Sequence, residues 1–120
     1  MKKMTEKALQ EAFLGESMAH IKYLIYASIA EKEEYKNIAR LFRAIAYAEF
    51  VHATNHAKAL GMIEKTGENL IRAKEGEIFE VEEMYPVYLQ IAKMQDEKDA
   101  DIGEIYICPV CGYKGEFKKF

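Results

Sequence analysis

Residues 38–60 read IARLFRAIAYAEFVHATNHAKAL, and this stretch decides the fold. Ile38, Leu41, Phe42, Ile45, Glu49, His52, His56 and Leu60 recur at steps of three and four residues, the period that lines up one face of an α-helix. An acid and histidines sit inside that otherwise apolar stripe. An ionised carboxylate on a buried helix face is costly unless an opposite charge meets it. A metal ion is the usual source of that charge, so a plain helical chain becomes a candidate metalloprotein.

Upstream, residues 5–33 read as a first helix with the stripe Leu9, Phe13, Glu16, His20, Tyr23, Ala27, Ala30. Thr5 is its expected N-cap. Residues 34–36 interrupt the pattern, Asn37 opens the second helix, and Gly61 suits the residue just past its end. Thr66-Gly67-Glu68 begins a third helix, whose stripe is Leu70, Ala73, Glu77, Glu80, Val81, Met84, Tyr88, Ile91 and which ends near Lys98. Gly76 and Pro86 disturb it, at about 1 and about 3 kcal/mol relative to alanine in a helix interior. The expectation is one kinked helix rather than two short ones split near Met84.

Residues 103–120 change character. Ile105-Tyr106-Ile107 reads as a short strand, Glu116-Phe117 as a second, with Cys108-Pro109-Val110-Cys111-Gly112-Tyr113 between them. A piece this small needs a metal or a partner to fold. The expected organisation is a helical domain over 1–102 and a Cys-x-x-Cys knuckle over 103–120.

With 120 residues, half of them apolar, the chain has material for one core. A net charge of −3 gives no reason to expect nucleic acid or an anionic membrane as partner. No apolar run approaches the ~18 residues of a membrane span, and the start, Met1-Lys2-Lys3-Met4-Thr5-Glu6, does not read as a signal peptide. The expected location is cytoplasmic. There, the chain's two cysteines, Cys108 and Cys111, are better suited to metal or redox chemistry than to a structural disulfide.

The pair Glu49 and His52, at i and i+3, places a carboxylate and an imidazole on one helix face within reach of one cation. A glutamate can also bridge to a second cation. The short turn makes the first two helices antiparallel neighbours. Glu16 lies somewhat farther from that turn than Glu49 does, an offset that tilt and ragged helix ends would have to absorb. Glu77 and Glu80 repeat the i, i+3 spacing on the third helix. Oxygen and imidazole donors together suit iron or manganese, with zinc possible. Most glutamates on helices are simply solvated, but mid-stripe acids on three helices, one with its histidine, form a pattern. His20 and His56 read as histidines at the edge of the core or beside the site rather than as ligands. Tyr23 and Tyr85 read as packing residues whose hydroxyls need partners if buried.

The segments Leu14-Gly-Glu16-Ser-Met-Ala-His20, Ala46-Tyr-Ala-Glu49-Phe-Val-His52, Gly76-Glu77-Ile-Phe-Glu80-Val-Glu-Glu-Met-Tyr85-Pro86 and Tyr106-Ile-Cys108-Pro-Val-Cys111-Gly-Tyr113 resemble rubrerythrins across nearly the whole chain. The resemblance implies an all-α, ferritin-like bundle with a di-iron carboxylate centre, joined to a rubredoxin-like iron domain. It also implies reduction of hydrogen peroxide with electrons from a donor protein. Ferritin-like di-iron sites take a Glu from each of two helices and a Glu-x-x-His from each of two others. By resemblance the metal ligands are Glu16, Glu49, His52, Glu77 and Glu80, and Tyr23 and Tyr85 are tyrosines that hydrogen-bond to ligand carboxylates.

The chain departs from that pattern twice. A fourth helix with a second Glu-x-x-His is missing, and one Cys-x-x-Cys stands where four thiolates are needed. A homodimer, or a higher homo-oligomer, supplies both halves. Two-fold symmetry brings the same patch of each chain against itself. Two helical hairpins then hold Glu16, Glu49 and His52 twice, and two knuckles, each with Cys108 and Cys111, give a four-thiolate site for iron or zinc shared between chains. In that arrangement Glu77 and Glu80 lie at the periphery or add ligands. In another they are primary ligands, beside the hairpin or exchanged into a partner. A thioredoxin-like dithiol lacks its βαβ context here. The functional expectation is a peroxide-reducing non-haem di-iron oxidoreductase. The alternatives are iron binding or ferroxidase-type handling without peroxidase turnover, and a structural helical dimer that keeps only zinc in the thiolates.

Overall fold

The computed structural model describes residues 1–98 together with the backbone of 105–107 and 114–116. It contains helices α1 (Lys3–Lys32), α2 (Lys36–Ala59), α3 (Thr66–Phe79) and α4 (Tyr85–Met94), with a π turn over Glu80–Met84 between the last two. Two short strands follow, β1 (Ile105–Ile107) and β2 (Lys114–Glu116). The chain forms two compact units, Met1–Glu64 and Lys65–Phe120. No helix among the described residues is long and apolar enough to cross a membrane.

The first unit is an antiparallel hairpin of α1 and α2. Its buried residues are all alanines: Ala27 and Ala30 on α1, and Ala39, Ala46, Ala53 and Ala57 on α2. Ala39, Ala46 and Ala53 recur at seven-residue intervals, the repeat that keeps one seam of a helix facing its neighbour. Small side chains in such a seam let two helix backbones approach closely. The α1 stripe agrees with its expected face, since Leu9, Phe13, Glu16, His20 and Tyr23 are half-buried and Ala27 and Ala30 buried. The α2 stripe agrees in part: Phe42, Ile45, Glu49, His56 and Leu60 are half-buried, but the buried contact is made by alanines. Its flank is rotated away from the seam, leaving Ile38 47% and Leu41 58% exposed.

Helix ends explain the tight turn. Tyr35 N–H bonds to Ala30 O and Glu34 N–H to Glu31 O, with Glu34 in the left-handed region at φ 67°. This is the Schellman closure, in which a left-handed residue lets two amides satisfy the last carbonyls of the helix. The same pair of bonds closes α2 around Gly61 (φ 71°) and α4 around Asp96 (φ 55°). Asp96 therefore ends the third helical run at Met94, short of the expected Lys98. The expected caps also differ. Lys2 and Tyr35 occupy the N-cap positions of α1 and α2, and neither makes a side-chain capping bond.

In the second unit the expected kinked helix is a continuous helical run from Thr66 to Met94 with a π turn in its middle. Tyr85 N–H reaches back five residues to Glu80 O. Pro86 has no N–H and its ring would crowd the carbonyl four residues earlier. The widened turn lets Pro86 fall in the first turn of α4, where proline is tolerated. β1 and β2 pair antiparallel, Ile105 opposite Glu116, Tyr106 opposite Gly115 and Ile107 opposite Lys114. Cys108 and Cys111 fall outside the described residues, as does Phe117 of the expected second strand.

Candidate metal centre

The antiparallel register of the hairpin sets the site. Tyr23 stacks on Phe42 with ring centroids 6.2 Å apart. One turn away, His20 Nδ1 donates to the Ala46 carbonyl at 2.6 Å. A further turn along both helices, Glu16 comes opposite Glu49, and the offset expected from their distances to the turn is absorbed. His20 thus spends its Nδ1 proton on tying the two helices together, as a structural histidine beside the site.

Glu16, Glu49 and His52 bring one ligand atom each to within 4.8 Å of one another. His52 Nδ1 lies 3.7 Å from Glu16 Oε1 and 3.8 Å from Glu49 Oε2. Those gaps are too long for hydrogen bonds. They fit two donors on one ion, which at metal–ligand bonds of about 2.1 Å stand at most about 4.2 Å apart. Glu16 Oε2 is screened from water yet accepts no aligned hydrogen bond. A shielded carboxylate oxygen without a hydrogen bond, beside a mixed oxygen and imidazole donor set, is what a cation of the iron or manganese class would satisfy.

The centre is less enclosed than a carboxylate in an apolar stripe implies. The Glu16 and Glu49 side chains keep 28% and 20% of their exposure, and His52 keeps 53%. No charged residue among those described is fully buried. The hairpin presents its donors on an open face.

His56 also belongs to this neighbourhood. Its Nε2 stands 2.7 Å from Glu16 Oε2. The spacing signalled this in part, since His56 follows His52 by one helical turn. What the sequence alone lacked was the register that brings Glu16 alongside. Tyr23 lies on the same face of α1, packed among Phe42 and Tyr26. Glu77 and Glu80 lie in the second unit, both half-buried, at the end of α3 and the start of the π turn. Tyr85 follows the π turn, its ring edge-on to Tyr88.

The rubrerythrin family model matches residues 7–102. Rubrerythrin-2 of Clostridium acetobutylicum is 37% identical over 155 positions, covering 92% of this chain and 84% of its own. Nigerythrin of Nitratidesulfovibrio vulgaris is 29% identical over 156 positions, covering 93% of this chain and 77% of its own. A solved structure of nigerythrin in a mixed-valence state has a TM-score of 0.47 at 28% identity, over 97% of this chain and 78% of that one. The 155 positions aligned with Rubrerythrin-2 exceed the 120 residues of the chain, so that relative carries an internal stretch with no counterpart here. With the family match spanning both helices of the hairpin and the whole of the third helical run, this chain belongs to the rubrerythrin family, di-iron proteins built on a ferritin-like helical bundle.

Proposed function

We propose that the protein is a non-haem di-iron oxidoreductase that reduces hydrogen peroxide, with its metal site completed by a second copy of the chain. The observation that carries this reading is the convergence of Glu16, Glu49 and His52 on one open face of the hairpin. A single chain offers two carboxylates and one imidazole there. Residues 95–107, between α4 and the first cysteine, leave no room for another full-length helix. Two hairpins meeting across a two-fold axis would double the set to four carboxylates and two imidazoles. The large apolar side chains left exposed beside the alanine seam, including Ile25, Ile29, Ile38, Leu41 and Phe50, are suited to that second hairpin.

Two ferrous ions at such a site would supply one electron each, so that peroxide and two protons leave as two waters. The residues of the chain do the rest. Glu16, Glu49 and His52 hold and orient the ions. One of these carboxylates would hold a proton for the departing oxygen. The Tyr23 and Tyr85 hydroxyls hydrogen-bond to ligand carboxylates and fix their orientation. Glu77 and Glu80 add ligands from the third helical run, in the same chain or in a partner. Cys108 and Cys111 of two chains would together offer four thiolates to an iron ion, which would supply a relay for electrons from a donor protein. The cytoplasm is the compartment that keeps those thiols reduced.

The test is oxidation of anaerobically reduced, iron-loaded protein. Peroxide should oxidise the carboxylate-bound iron faster than dioxygen does. The opposite order would replace peroxidase by ferroxidase-type iron handling, and a protein that retains only zinc would reduce it to a structural dimer. Light scattering on the same sample should show a dimer or a multiple of it, and a monomer carrying its full complement of iron would refute the shared site.

A further inference from the structure

We propose that Glu16 bridges two cation positions, one shared with Glu49 and His52 and the other with His56, so that His56 is a metal ligand in its own right. The proposal rests on the metal-binding reading above and extends it to a residue outside the expected ligand set.

The two oxygens of Glu16 face different imidazoles. Oε1 lies 3.7 Å from His52 Nδ1, and Oε2 lies 2.7 Å from His56 Nε2. The closer contact is not an aligned hydrogen bond, because Oε2 has no hydrogen-bond partner and is shielded from solvent. A carboxylate oxygen and an imidazole nitrogen standing side by side at that range, without pointing at each other, are placed like adjacent ligands of one ion. At bonds of about 2.1 Å and a right angle, adjacent ligands stand about 3 Å apart. His56 meets the three-residue group through Glu16. The geometry therefore asks for a second ion on the far side of the same carboxylate. Carboxylate bridges of this kind hold paired metal ions a few ångströms apart.

Helix α2 explains why His56 is available. Glu49, His52 and His56 follow one another at steps of three and four residues, so all three lie on one stripe. His56 keeps 27% of its side-chain exposure, comparable to Glu16 at 28%. His20, the third histidine of the chain, is committed to the Ala46 carbonyl and supplies no comparable donor pair. The consequence is chemical. A chain without the family's second Glu-x-x-His still offers two imidazoles, both from one helix.

The chain's three histidines make the test direct. Zinc(II) is titrated into the full-length protein and the ring nitrogens are followed by long-range proton–nitrogen NMR. The proposal predicts that metal-bound nitrogen shifts appear at both His52 and His56, while His20 stays unchanged. In His56→Gln the shift at His52 should persist, and bound zinc should fall below the wild-type content. Circular dichroism establishes that this variant folds, and if it does not, the wild-type spectra decide alone. Zinc shifts confined to His52 would overturn the inference and leave the metal-binding reading standing. No shift at either histidine would overturn both.

Discussion

The α1–α2 hairpin and the α3–α4 run both carry paired ligand-type residues at i, i+3 spacing, but they are built differently. The hairpin has a dry seam of alanines, a histidine-to-carbonyl bond across it, and an exposed Arg43–Glu31 ion pair near the turn. Its candidate ligands Glu16, Glu49 and His52 are brought together by helix register. The α3–α4 run has no fully buried residue among those described; Glu80 opens its π turn and Glu77 lies in α3 just before it. Single π turns inside α-helices recur at functional sites. The contrast separates two settings for a carboxylate. In the hairpin, packing between helices brings it beside other donors. In the α3–α4 run, it lies at or just before a local change of hydrogen-bond register, close to where Pro86 forbids a regular helix.

The sharpest way to break this contrast is to widen the seam. Ala46 is fully buried and accepts the His20 bond through its carbonyl. Ala46→Leu should lower stability by about 3 kcal/mol, the upper end for overpacking a tight contact, and should weaken iron binding by prising Glu16 from Glu49. Denaturant unfolding of the iron-free protein measures the first effect, and iron content after anaerobic loading the second. A variant as stable and as metal-rich as wild type would show that the alanine seam does not position the site.

A smaller effect tests the other region. If the π turn already relieves Pro86, then Pro86→Ala should change stability by less than about 1 kcal/mol. A gain near the roughly 3 kcal/mol expected for removing proline from a helix interior would mean the strain had been left in place. Thermal unfolding distinguishes these outcomes. The smallest effect concerns the turn that sets the hairpin register. Glu34 holds a left-handed conformation that costs a residue with a side chain about 1–2 kcal/mol. Glycine escapes this cost but loses more entropy on folding. Glu34→Gly should therefore stabilise the hairpin by about 0.5 kcal/mol, and a loss of stability would contradict the account of that turn.

Much of this was legible before any coordinates. The α1 stripe, the Gly61 terminus, the disturbance of one helical run around Pro86 and the short strand at Ile105–Ile107 follow from period and turn chemistry. The α2 stripe followed only in part, because the alanines that form its buried seam did not stand out. A hydrophobicity ranking favours Ile38 and Leu41 over alanine, whereas two long helices gain more by close approach through small residues, and only the seven-residue spacing of Ala39, Ala46 and Ala53 hinted at it. The π turn is a slip in backbone hydrogen bonding, to which side-chain patterns are blind. Glu49 and His52 announced themselves by lying inside an apolar stripe. His56 occupied the same stripe but needed Glu16 from the other helix beside it, and that pairing depends on where the turn closes.

The central claim is that Glu49, held opposite Glu16 by the hairpin register, is part of a metal-binding centre. Its most direct test is the iron content of Glu49→Ala beside wild type, both loaded without oxygen, with thiolate-bound metal counted separately by its absorption. The account predicts that carboxylate-bound iron is lost while the helical content is retained. Unchanged carboxylate-bound iron in a folded Glu49→Ala protein would contradict it.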